Sequence, residues 1–163
     1  MTSQRFPYVG DGVTIYGGLG NDTIWANNGN NTLFGDAGND RIVGGSDDDV
    51  IVGGIGNDRM HGGGGEDIFC FGKNWGKDTV EQLADGKITL WFESGVMSNW
   101  YASTMTYTDG ANSVKVSGVS ADNITLIFGD DNSLLYDELA NSGCFDDAAS
   151  EKIFEDKNKG MLA

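Results

Sequence analysis

Apolar side chains recur at every ninth residue through the first part of this chain: Ile15, Ile24, Leu33, Ile42, Ile51, Met60 and Phe69. Two places before each of the last six stands an acid or its amide: Asp22, Asn31, Asp40, Asp49, Asp58 and Asp67. Read in blocks of nine from Gly17, the sequence runs GGLGNDTIW, ANNGNNTLF, GDAGNDRIV, GGSDDDVIV, GGIGNDRMH and GGGGEDIFC. A degenerate block, YVGDGVTIY, leads in from Tyr8 to Tyr16. Glycines at the first, second and fourth positions permit positive φ and close backbone approach, so the first six residues of a block predict a tight turn. The last three predict a short strand whose eighth residue points inward and whose seventh and ninth point outward. Three residues cannot stand alone, so the blocks must stack. If the chain reverses at every turn, two blocks complete one coil. Turns beginning at Gly17, Gly35 and Gly53 then share one edge, and those at Ala26, Gly44 and Gly62 share the other.

The outward positions distinguish the two sheets. One presents Phe34, Val50, Val52, Ile68 and Cys70, a face too apolar for water, on which the C-terminal half is expected to pack. The other presents Thr23, Trp25, Arg41, Val43, Arg59 and His61. From Lys87 onward glycine thins out and longer β-rich runs appear: Lys87–Phe92, Thr104–Thr108, Ser113–Ser117 and Asn123–Phe128. Asp109-Gly110 between two of these runs marks a hairpin. Ser133 is placed to cap a helix ended by Asn141 to Gly143, and a second helical stretch spans Asp146 to Lys159, acidic first and basic last. Three regions follow: repeats over 1–80, a β-rich cap over 81–132 and a helical tail over 133–163.

Composition sharpens this picture. Of 26 glycines, 18 fall in the first 72 residues, and there is one proline, which excludes collagen. An apolar fraction of 39% argues against a floppy linker. The formal charge of −15 makes nucleic acid or an anionic membrane a poor partner, and no apolar run reaches the roughly 18 residues of a membrane span. Stacking places Asp22, Asp40 and Asp58 in one column and Asn31, Asp49 and Asp67 in another. Carboxylates about 4.8 Å apart, the strand spacing, repel one another unless compensated. A hard divalent cation between neighbouring turns removes that repulsion. With oxygen ligands only, and no His or Cys alongside, calcium is favoured over zinc or iron. Turn carbonyls complete the shell.

The blocks resemble the RTX nonapeptide repeat, GGxGxDxUx with U apolar. The resemblance implies an all-β fold: a parallel β-roll with calcium between successive turns, followed here by the small β cap and the short C-terminal helices. The run GGGGEDIFCFGKNWGKDTV, Gly62 to Val80, is similar to the family's last repeat and closing GxDT segment. That similarity makes Asp78 a terminal ligand facing Asp58. The expected ligand set is Asp22, Asn31, Asp40, Asp49, Asp58, Asp67 and Asp78. Added to it are the turn positions Gly18, Gly20, Gly38, Gly45, Gly54, Gly56, Gly63 and Gly65, with Asp36 and Asp47 standing where glycine is usual. Asn31 in place of an acid, with Ala26 and Asn27 for glycines, predicts a weaker ion beside that block. Four to five Ca2+ ions are expected in all.

Catalytic signatures are missing from this reading. There is no HExxH, His61 sits at an outward position, and GVSAD (Gly118–Asp122) is not GxSxG. The resemblance implies bacterial export by type I secretion, an extracellular or cell-surface location, and an acidic C-terminal tail that engages the secretion machinery. The abrupt start in a half-formed block is expected of a piece of a longer chain, and the module itself is expected to be non-enzymatic and monomeric. The alternative reading is an adhesin-type module that binds a glycan or another surface ligand. Trp25, Trp75, Trp91 and Trp100 are expected to serve packing before sugar stacking. Cys70 and Cys144 are too few for a disulfide framework.

Overall fold

The computed structural model describes residues 12–82, 86–93 and 99–128, with a strand trace at 3–5. The strands are β1 (Ser3–Arg5), β2 (Thr14–Tyr16), β3 (Thr23–Asn27), β4 (Thr32–Phe34), β5 (Arg41–Gly45), β6 (Val50–Val52) and β7 (Arg59–Gly63). They continue with β8 (Glu66–Phe71), β9 (Lys77–Glu81), β10 (Lys87–Phe92), β11 (Asn99–Tyr101), β12 (Thr106–Thr108), β13 (Ser113–Ser117) and β14 (Ile124–Phe128). Among the described residues the only helical segment is a 3-10 turn at Ala121–Asn123. The expected C-terminal helices lie outside the described residues.

Odd- and even-numbered strands separate into two sheets through the repeats. One sheet is ordered β1-β3-β5-β7-β9-β13-β12-β11 and the other β14-β10-β8-β6-β4-β2. All pairings from β2 to β10 are parallel. Thr14 pairs with Thr32, Thr32 with Val50 and Val50 with Ile68, a step of 18 residues that makes two blocks one coil. This is the parallel β-roll.

The eighth residues form the spine of the core. Ile15, Leu33, Ile51 and Phe69 stack from one sheet and Ile24, Ile42, Met60 and Val80 from the other, all buried. Each such side chain contributes about 1.5–3 kcal/mol of burial, which a three-residue strand collects only by stacking. β3, β5 and β7 run to five residues because they continue into the first two positions of the next block, as at Gly44-Gly45 and Gly62-Gly63. Glycine is required there: a Cβ on Gly45 or Gly63 would collide with the carbonyl of the preceding coil.

After Phe71 the coil widens. The register step rises to 20 residues from Arg59 to Thr79 and to 21 from Phe69 to Leu90. The extra room holds an aromatic plug in which Phe92 stacks on Phe71 at 5.0 Å and on Tyr107 at 4.3 Å, with Trp75 and Phe128 alongside. Trp75 and Trp91 are buried, as packing requires, whereas Trp25 is 40% exposed. β13 extends the first sheet in parallel beside β9, and β12 and β11 follow antiparallel. The Asp109-Gly110 hairpin closes on Asp109 Oδ1, which accepts the N–H groups of Ala111 and Asn112.

The apolar outer face of the second sheet is withdrawn from water: Phe34, Cys70 and Trp91 are buried, and Val50, Val52 and Ile68 are half-buried. Among the described residues β10 and β14 lengthen this face with Trp91 and Ile127. Cys70 is disulfide-bonded; Cys144 lies outside the described residues.

Ile42→Ala should lower the stability of the calcium-loaded protein by about 2–5 kcal/mol. Leu19→Ala, at a side chain 90% exposed, should change it by no more than about 0.5 kcal/mol. Denaturant unfolding measures both, and equal effects would refute the stacked spine.

Candidate metal centre

The turns at the two edges carry the acidic columns. On the first edge the Asp22 N–H donates to Asp40 Oδ1 at 2.7 Å, the Asp40 N–H to Asp58 Oδ1 at 2.8 Å, and the Asp58 N–H to Asp78 Oδ1 at 2.8 Å. One carboxylate oxygen is thereby fixed by the neighbouring coil. The other, Oδ2, is buried without a partner at Asp40, Asp58 and Asp78 alike. Three orphan anionic oxygens in one file are costly in a low-dielectric edge. Each points toward the glycine that opens its own turn in the repeats. A Cβ at Gly35 or Gly53 would collide with Asp40 or Asp58, and one at Gly17 would crowd Asp22. Glycine at the first position therefore makes room for the acid at the sixth.

The second edge is built differently. Asn31 donates to Asp49 Oδ1 from both its backbone N–H (2.8 Å) and its side-chain Nδ2 (2.9 Å), and Nδ2 also reaches the Gly29 carbonyl at 2.6 Å. Asn31 Oδ1 in turn accepts the Val13 N–H at 3.1 Å. The Asp49 N–H donates to Asp67 Oδ1 at 2.9 Å. At the far end Gln82 Nε2 donates to Asp67 Oδ2 at 2.8 Å. Two carboxylates thus stand between two amides, and within this column of acids only Asp49 Oδ2 is orphaned.

The remaining predicted positions line the turns. Gly18, Gly20, Gly38, Gly54, Gly56, Gly63 and Gly65 all have positive φ. Carbonyls at the second position face the next coil: Gly18 O accepts the Ala37 N–H at 3.1 Å and Gly45 O the Gly64 N–H at 3.0 Å, leaving each a second lone pair. Asp36 takes the second position with φ 69°, and its Oδ2 accepts the Gly18 N–H at 3.0 Å. Asp47 Oδ2 accepts the Gly29 N–H at 2.8 Å on the exposed rim. Both side chains therefore tie adjacent turns together. A further ladder lies at the fifth positions: Asn39 donates to Asn21 Oδ1, Asn57 to Asn39 Oδ1 and Lys77 to Asn57 Oδ1, each from the backbone N–H at 2.8 Å. Its sequence signal is the Asn before Asp in three GND turns.

Among the described residues no group of three or more His, Cys, Asp or Glu side chains gathers at one point. Each gap brings two carboxylates at most, so backbone carbonyls have to supply the rest of a shell. All-oxygen donors, orphaned anionic atoms and glycine-lined space suit a hard cation of irregular coordination, which is calcium.

The RTX calcium-binding nonapeptide repeat family, in its four-copy form, matches residues 8–42 and again residues 34–69. Residues 8–69 are RTX calcium-binding repeats. No curated protein matches the chain. The RTX match stops before Asp78 and Gln82, which the fold nevertheless adds to the ends of the two columns.

Burial governs the electrostatics of the RTX turns. It pushes Asp49 up to about 7, Asp58 and Asp67 to about 6 and Asp78 to about 8, and raises Asp40 as well. Backbone N–H bonds to the carboxylates oppose the shift without cancelling it. Without metal, ionising these acids costs more in the folded chain than in the unfolded one. A raised folded-state pKa gives stability that is full below the unfolded value near 4 and is lost as pH climbs through 6 to 8. The calcium-free protein should therefore show more strand signal by circular dichroism at pH 5 than at pH 8.5, and calcium should restore the signal at pH 8.5. A chelated sample better folded at pH 8.5 would contradict this account.

Proposed function

We propose that this chain is a calcium-gated folding module, carried by a larger protein that leaves the cell by type I secretion. The observation that carries the reading is the file of buried, unpartnered Oδ2 atoms on Asp40, Asp58 and Asp78. Folding with these oxygens ionised and bare is unfavourable, and folding around calcium is favourable. The three gaps along this column and the Asp49–Asp67 gap on the other edge give four ions, at the lower end of the range expected from the repeats.

Linkage supplies the mechanism. Ions that bind the folded state alone stabilise it according to their concentration relative to Kd, and extracellular calcium modules bind with Kd of about 10⁻⁴–10⁻³ M. At the far lower calcium of the cytosol, repulsion within the columns keeps the repeats unfolded and able to thread an exporter. Outside, the ions enter, neutralise about eight of the 15 net negative charges, and the roll closes. The β-roll is a structural element here, and any activity belongs to other parts of the parent protein. The tail over 133–163 serves as the export signal, and the cap over 81–132 closes the open end of the roll.

Calcium titration followed by circular dichroism and calorimetry tests the gating. Asp40→Ala and Asp58→Ala should each shift the midpoint to higher calcium by about tenfold, the scale of losing one hard ligand charge, and should reduce cooperativity. Asn31→Ala should shift it much less. A midpoint indifferent to Asp40 and Asp58 would sink the reading of the gaps. Truncation before Ser133 should abolish export of a fused passenger, and undiminished export would remove the role given to the tail.

A further inference from the structure

The outer face of the eight-stranded sheet has a charge opposite to that of the chain. Strand register sets Thr23, Arg41, Arg59, Thr79, Lys115, Thr106 and Tyr101 side by side in one row. The adjacent row holds Trp25, Val43, His61, Glu81 and Ser117. Lys77 joins the same face from β9, beside Ser113. Arg41, Arg59, Lys77 and Lys115 are all exposed. Against four permanent cations, the described outward positions of this sheet carry one acid, Glu81, which pairs with Arg59 at 2.8 Å. The net charge of the whole chain is −15, so this face is a local inversion.

Two features indicate that an anion belongs there. Arg41 and Arg59 are direct cross-strand partners, and like charges directly opposite destabilise a sheet. Among the described residues Arg59 alone of the four cations forms an ion pair. A shallow dent is lined by Arg41, Val43, Arg59, His61 and Glu81, and His61 Nδ1 is buried there without a partner. Guanidinium groups bind carboxylates in a planar two-pronged geometry. The row is long: six strand steps from Thr23 to Tyr101 span about 29 Å. Exposed aromatic rings stand toward its two ends, Trp25 at 40% and Tyr101 at 51% exposure.

We propose that this face binds an acidic polysaccharide, a linear chain of uronate-type sugars, along the Arg41–Arg59–Lys115 row with carboxylates seated at the arginine pair. Carbohydrate is favoured over nucleic acid by charge density. Duplex DNA brings one charge per about 1.7 Å, and the net negative charge that the chain keeps after calcium loading repels so dense a polymer. A polyuronate brings one charge per sugar and offers apolar ring faces to Trp25 and Tyr101. The site lies on the outside of the sheet, separate from the turn columns, and stands or falls independently of how many ions those columns take.

The test is titration calorimetry of the calcium-loaded full chain with galacturonate oligomers, with neutral dextran oligomers and a short DNA duplex as comparisons. Saturable binding to the uronate oligomers is expected, weakening as salt rises, with little binding of dextran or DNA. Arg41→Ala/Arg59→Ala should weaken it by about tenfold or more, and Arg41→Glu should abolish it. Circular dichroism on the same samples should show unchanged calcium-dependent folding in both variants. If the variants bind as well as the parent, calcium bridges at the acidic edges hold the sugar and the proposal is overturned. Equal binding of dextran, or tighter binding of DNA, overturns it as well. Lys73→Ala/Lys87→Ala, cations outside the rows, should leave affinity unchanged, and a comparable loss there reduces the effect to general charge.

Discussion

A backbone N–H from one coil bonded to a carboxylate oxygen of the next is the contact on which the architecture rests. It spaces the turns, fixes the rotamer of each acid and draws the carboxylate out of water. Having done so, it satisfies only half of the group. The geometry that builds the edge therefore creates a demand the polypeptide meets at some rungs and leaves open at others. Protons or a divalent cation can meet it, and both routes follow from the same burial.

The two edges answer that demand differently. Asp22, Asp40, Asp58 and Asp78 form an unbroken acidic file. On the opposite edge Asn31 and Gln82 terminate the file with amide donors. An amide N–H neutralises less than a metal ion does, yet it is always present. The second edge thus holds part of its structure by ordinary hydrogen bonds, while the first depends on what the solution supplies. The closing segment does similar work for the core, replacing the slim aliphatic spine with the Phe71, Trp75, Phe92 and Tyr107 plug.

Much of this is legible in the bare sequence because a repeat states its rule several times. The apolar eighth position yields the spine, the acidic sixth position yields the columns, and nine doubled to 18 yields the register. The strands at Lys87–Phe92 and Ser113–Ser117 stand where their β-branched runs place them. What escapes is whatever occurs once. Gln82 carries no periodic mark, and its role depends on the 20-residue step that carries β9 past Asp78. β11 is three residues without a flanking turn signal and exists through its pairing with β12. The contact of the Asp36 carboxylate with the Gly18 N–H, made at a position of positive φ, carries no periodic mark either. The longer strands of the first sheet depend on Gly44-Gly45 and Gly62-Gly63, whose turn-forming reputation hides their fitness for a strand whose neighbours leave no room for a Cβ.

The 18-residue coil also sets what kinds of change in length the molecule tolerates. Duplicating one whole coil adds a layer, one rung to each edge and one side chain to each spine, and leaves every existing neighbour relationship intact. Duplicating a single nonapeptide instead transposes everything downstream: Arg59 and His61 would exchange sheets with Ile68 and Cys70, burying cations on the greasy side and setting hydrophobes in water. Growth in this architecture is therefore quantised in pairs, and the parity of the repeat number is inherited by every surface the roll presents.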